Sequence, residues 1–297
     1  MLNVALTVDI CEHLYYTKKE VSNMPIIGKP KREISKGRDN VVAKGNDIIQ
    51  KSQYEMNMQQ SKALLYLISL IKPDDDISKA YIFSVSDFCK ACGITQSGKN
   101  SQNAQAAIKA LADKSVWVQR TPKTKVLLRW LNTVTLHDST NQFEITFHQD
   151  MLPYLYSLKT HYTSYQLSNV LTMKSKYSIR LYELLKSYQH VNDGMVSFTL
   201  TELQDRLDAK DYDRYTNFNQ RVLSVAVEEI NECSDINVEY EPYSASGKQR
   251  GFDGITFTIS EPTALDKEIR AIRQERKLDS QTKATFKTLI EAITPEN

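Results

Sequence analysis

At 297 residues, with 41% hydrophobic and 25% charged side chains, the chain has the composition of a folded protein with room for one large domain or two of ordinary size. Its longest apolar run, ALLYLISLI at 63–71, holds nine residues, too few to cross a bilayer, so no membrane partner is expected. Four cysteines (Cys11, Cys89, Cys92, Cys233) do not make a disulfide framework for a chain this long, and a reducing cytoplasm is the expected location.

The opening stretch MLNVALTVDICEHLYY has no early positive charge and carries Asp9 and Glu12, a poor pattern for a signal peptide. Residues 17–51 hold nine Lys/Arg against four Asp/Glu, a net of +5, with few large apolar residues. Residues 1–44 therefore read as a flexible basic arm suited to an anionic partner, or as a solvated linker of the same composition.

Next comes QYEMNMQQSKALLYLISLI (53–71), a long helix, then the turn KPDDD and the strand YIFSV. SDFCKACG is a short helix and KNSQNAQAAIKALADKS (99–115) a second long one. VWVQR opens a strand-rich stretch that ends in FEITFH (143–148). The same order then recurs. SKYSIRLYELLKSY (175–188) is a helix with one apolar face, VNDG a turn, and MVSFTL a strand. In TELQDRLDA (201–209) Thr201 stands before a short helical pattern and reads as its N-cap, and YTNFNQRVLSVAVEEINECSD (215–235) is a long helix. INVEYEPY and ITFTI are strands around the turn SASGKQRGFDG. Short echoes support the repeat: YIFSVSDF with MVSFTLTEL, and FEITF with DGITF.

Helix, strand, helix, helix, hairpin is the winged-helix arrangement. The fold class is α+β, with two tandem winged-helix (helix-turn-helix plus β-hairpin) domains at 45–160 and 161–262. A charged helical tail follows at 263–297, and its LDKEIRAIRQERK segment (265–277) reads as mobile rather than packed. The second long helix of such a module fits the ~12 Å major groove, and its hairpin reaches neighbouring phosphates.

At 100° per residue, Val222, Leu223, Ala226, Val227 and Ile230 share one face of the 217–230 helix, the expected core face. Asn217, Arg221, Ser224 and Glu228 point away, and Asn219 and Gln220 lie near the N-terminal end that recognition helices bring to the groove. Arg221 is the best base reader here, because its planar fork donates twice to guanine. Glu228 and Glu229 would repel phosphate, so that end should leave the groove. An ordinary amphipathic helix with a solvated face fits the same pattern. In the first copy Ala104, Ala107, Ile108, Leu111 and Ala112 form the core face, with Gln102, Ala106 and Lys109 outward. Its start, SGKNSQNAQ, holds no acid, and Lys99, Asn100, Ser101, Gln102, Asn103 and Gln105 are donors suited to a sugar-phosphate backbone. A well-capped helix start has the same composition. Hairpin tips add Lys248, Gln249 and Arg250, and in a matching place Lys123 and Lys125.

With NDIIQKSQYEMNMQQSKALLYLI, the run SIRLYELL, and the helix carrying Phe218, Arg221, Val222, Leu223, Glu229, Ile230 and Asn231, the chain resembles iteron-binding plasmid replication initiators, the group that includes those of F-like plasmids. The resemblance covers about 44–262. It implies two winged-helix domains that clamp repeated double-stranded origin DNA, the second reading most of the sequence and the first mainly holding backbone. It also implies an initiating monomer, a dimer that represses its own gene, and host initiator and helicase as partners. Basic residues are common in that family just before the matching Arg-Val-Leu; here Asn219 and Gln220 stand there, which bears on base preference.

Enzyme signals are missing. Cys89-Lys-Ala-Cys92 lacks the second ligand pair of a structural zinc site and reads as core. The five histidines (13, 137, 148, 161, 190) show no H-x-H or H-E-x-x-H spacing, which argues against a metal-dependent nickase. Tyr177, Tyr182 and Tyr188 sit at core spacing, and no phosphate-cradling G-x-x-x-x-G-K-[ST] loop occurs. No catalytic residue, metal or cofactor is expected. The expected function is origin binding with duplex opening and autorepression. A repressor without initiator activity is the alternative, and a DNA-cleaving enzyme the third reading.

Overall fold

The computed structural model describes residues 40–92, 94–95, 97–244, 251–267 and 270. The arm before residue 40, the tip residues Lys248, Gln249 and Arg250, and the tail beyond 270 lie outside the described residues.

The chain enters with β1 (Val41–Gly45), α1 (Asn46–Gln50) and the short β2 (Ser52–Gln53). The first long helix, α2 (Met58–Ile68), starts later than its apolar pattern suggests. Asn57 stops it: its side chain accepts from the Gln60 N–H, and Gln60 reaches back to the Asn57 N–H, a reciprocal cap. After β3 (Tyr81–Ser84), Ser84 caps α3 (Val85–Ala91), and Ser97 caps α4 (Gly98–Leu111). Four strands follow: β4 (Ser115–Thr121), β5 (Thr124–Arg129), β6 (Leu131–His137) and β7 (Gln142–Phe147). A short α5 (Leu152–Leu155), β8 (Tyr162–Gln166) and α6 (Ser168–Leu171) lead to the second repeat. That repeat comprises α7 (Lys176–Lys186), β9 (Met195–Thr199) and α8 (Leu200–Leu207). A helical rod then runs through α9 (Tyr215–Phe218), a π-helical turn (Asn219–Leu223) and α10 (Ser224–Cys233), before β10 (Asn237–Tyr243) and β11 (Gly254–Ser260). The cap of α8 is Thr199, paired with Glu202, so this helix begins one residue before the Thr201 that opens its sequence pattern.

Both repeats carry the same antiparallel three-stranded sheet, ordered β10–β11–β9 in the second and β3–β7–β6 in the first. The echo of FEITF and DGITF is therefore a true correspondence: β7 and β11 each pair with the strand before the short helix. The β4–β5 hairpin is an addition, paired with β2 in a separate sheet. Its buried Val116, Val118 and Leu128 give it a core face of its own. Lys123 and Lys125 at its tip thus do not match the 246–251 tip; the matching turn is 138–141.

Buried apolar side chains of both repeats form one continuous cluster. Its seam holds a polar core. Lys44 and Glu183, each 1% exposed, form an ion pair, and the Tyr165 hydroxyl donates to Glu183 at 2.5 Å. Arg180 donates to the Ser52 carbonyl (2.9 Å) and to the Arg206 carbonyl (3.0 Å), with its guanidinium 4.9 Å from the Tyr54 ring centroid. The end of the expected arm is consequently not free: residues 41–44 belong to β1, which pairs with β8, and Lys44 neutralises a buried carboxylate instead of facing an anionic partner. The tail also begins packed. Thr263 caps a turn at 264–267, Asp266 accepts from Asn237 (2.9 Å), and buried Arg270 donates to the carbonyls of Ser234 and Ile236.

Candidate nucleic-acid interface

The rod from Tyr215 to Cys233 buries Phe218, Val222, Leu223, Ala226, Val227 and Ile230. Asn217, Gln220, Arg221 and Ser224 are exposed on its other side, so the structure brings four of the five expected readers to one surface. Arg214 and Thr216, also exposed, lie before residue 217, where the sequence reading of the helical face begins, and so are missed by it. Asn219 is turned inward. Its side-chain oxygen accepts from the Tyr240 hydroxyl on β10 at 2.6 Å. Burial raises the Tyr240 phenol above its ordinary pKa, so it stays a donor. Ser224 uses its hydroxyl proton on the Gln220 carbonyl (3.2 Å).

At the far end of the rod the two glutamates part company. Glu228 is exposed. Glu229 accepts from the backbone N–H groups of Lys174 (3.0 Å) and Ser175 (3.1 Å), serving the start of α7 rather than standing free against phosphate. At the near end, Tyr215 meets Phe252 edge-on, ring centroids 4.7 Å apart, which ties the rod to the base of the β10–β11 hairpin.

In the first repeat, α4 buries Ala104, Ala107, Ile108 and Leu111, while Ala112 is half-buried. Lys99, Gln102, Asn103 and Lys109 are exposed. Asn100, Ser101 and Gln105 are half-buried. Asn100 gives its amide to the Thr95 carbonyl (2.8 Å), and Gln105 gives its amide to Asn141 (2.8 Å) in the β6–β7 turn. These two residues brace the helix and leave the cations, Gln102 and Asn103 as its outward polar groups. The β4–β5 hairpin exposes Lys123 and Lys125, with Lys125 donating to Gln53 at 3.3 Å. Residues 115–129 also hold Arg120 and Arg129 and no Asp or Glu, a signal legible in composition alone.

Cys89 is fully buried and Cys92 nearly so, and burial raises the Cys89 thiol pKa. Among the described residues, no group of three or more His, Cys, Asp or Glu is arranged to hold a metal ion, and no helix is long and apolar enough to cross a membrane.

The family model described as "Initiator Replication protein, WH1" matches residues 41–186, and "Initiator Rep protein, WH2" matches 199–259. A curated "Replication initiation protein" from Escherichia coli is 25% identical over 208 residues, which cover 67% of this chain and 64% of that protein. The match thus spans just under two thirds of that relative's length. A crystal structure of "Pi initiator protein in complex with iteron DNA" superposes with a TM-score of 0.59 at 16% identity, over 76% of this chain and 99% of the other. At that identity the likeness is one of fold.

Proposed function

Because this chain belongs to the initiator replication protein family, we propose that it binds repeated duplex DNA sites at a plasmid origin. In this reading α9–α10 enters the major groove with Arg221 on base edges. α4 and the β4–β5 tip, through Lys99, Lys109, Lys123 and Lys125, hold phosphates. Bound copies open the adjacent duplex and pass it to host initiator and helicase proteins, and a dimer represses the gene. The observation that carries the reading is the exposed row Asn217, Gln220, Arg221 opposite a fully buried apolar face, beside a hairpin that can follow the backbone.

The test is fluorescence anisotropy of the full chain on labelled duplexes tiled across the DNA flanking its gene, at several salt concentrations, with a scrambled duplex as control. Binding to a repeated segment at least about 10³-fold tighter than to the scrambled duplex is expected. Equal, salt-sensitive binding to every duplex would leave only a basic surface and overturn the reading. Permanganate reactivity of unpaired thymines in a supercoiled origin plasmid separates an initiator, which opens the duplex, from a repressor, which does not.

A further inference from the structure

The recognition rod is not a regular α-helix. In an unbroken helix in phase with Val222, Leu223, Ala226, Val227 and Ile230, Phe218 would sit roughly 110° from the centre of the core face at 100° per residue. Phe218 is nevertheless fully buried. The π-helical turn at Asn219–Leu223 makes this possible by accommodating one extra residue, as π-bulges do. The Ser224 N–H bonds the Asn219 carbonyl, five residues back, instead of the Gln220 carbonyl. The carbonyl so released accepts from the Ser224 hydroxyl at 3.2 Å. On the sheet side, the Tyr240 hydroxyl holds the Asn219 side chain at 2.6 Å. Two side-chain hydrogen bonds therefore brace the widened turn, and Gln220 and Arg221, both exposed, project from within it.

We infer that Tyr240 and Ser224 are positioning residues for sequence recognition: they hold the π-turn in the register that aims Gln220 and Arg221 at base edges. Asn219, which departs from the basic residue common at its position, is the anchor of that turn rather than a base reader. The inference rests on the DNA-binding reading above and deepens it. A base contact depends on direction, because a bidentate guanidinium must meet two acceptors at once. A phosphate contact tolerates a swing of the side chain far better. Loosening the turn should therefore cost specificity and leave general affinity in place.

The experiment is the same titration with Tyr240→Phe, Asn219→Ala and the double variant, each checked by thermal melting. Tyr240→Phe removes one oxygen from a half-buried ring and keeps its packing. The expected result is a loss of up to about tenfold in affinity for the specific repeat, the scale of one hydrogen bond, with affinity for scrambled duplex and the salt slope unchanged. The double variant should lose no more than the worse single variant, since both remove the same bond. An unchanged preference in Tyr240→Phe, equal losses on both duplexes, or additive losses would overturn the inference. Wild-type protein without any preference would instead overturn the DNA-recognition reading itself.

Discussion

The two repeats share a sheet and a helix order, yet their candidate DNA helices are built differently. α4 is regular, capped by Ser97, with Asn100 and Gln105 bracing it and cations left outward. α9–α10 carries a π-turn, a bidentate donor at its centre, and an aromatic tie to its hairpin. Point charges on a regular helix suit phosphate, which carries no sequence information. A planar donor held by a braced turn suits base edges. Two copies of one module can thus divide affinity and specificity by local chemistry alone.

That contrast can be broken at several depths. The deepest is the seam on which both repeats depend. Lys44→Ala leaves Glu183 buried without its counter-ion, and a loss of about 3–5 kcal/mol is expected in urea unfolding. Because one apolar cluster runs through both repeats, a single transition is expected; two separate transitions would mean the repeats fold independently. Next is Arg221→Ala, which should weaken specific binding by about 1–3 kcal/mol and relax one base position. An equal loss on scrambled duplex would make Arg221 a phosphate contact and erase the contrast. Thr199→Ala removes a reciprocal cap from α8, and a loss of about 1 kcal/mol of stability should appear as a lower urea midpoint at unchanged slope. The smallest effect is Lys109→Ala, which should lower affinity for all duplexes alike and reduce the salt slope by about 0.9. An unchanged slope would take Lys109 off the phosphate backbone.

Particular residues show how much of the site was readable beforehand. Arg221 pointing away from Val222, Ala226 and Ile230 followed from periodicity, and it is exposed in the structure although it lies inside the π-turn. Phe218 lies before the widened turn, where a fixed 100° step fails. Asn219 reads as a DNA contact from its place near the helix start, although the same step puts it on the core side, where it faces Tyr240. Glu229 and Lys44 misled for another reason. Their charges suggested solvent or phosphate, while their partners, the Lys174 and Ser175 backbone and Glu183, come from distant elements.

The repeat, the order of helices and strands, the cap-prone starts and the core faces are legible in the chain alone. Each of these is a local matter of propensity, capping and hydrophobic period, decided within a few residues of chain. That β6–β7, and not β4–β5, is the first repeat's counterpart of β10–β11 emerges from the strand pairing in three dimensions. That the two repeats share a core and that the rod widens at Asn219 also emerge only in three dimensions. Strand pairing, ion pairing across a seam and helical phase under packing depend on which distant side chains arrive together. Burying a side chain such as Phe218 contributes about 1.5–3 kcal/mol against about 0.5–1.5 kcal/mol for one displaced hydrogen bond, and nothing in the local pattern expresses that balance.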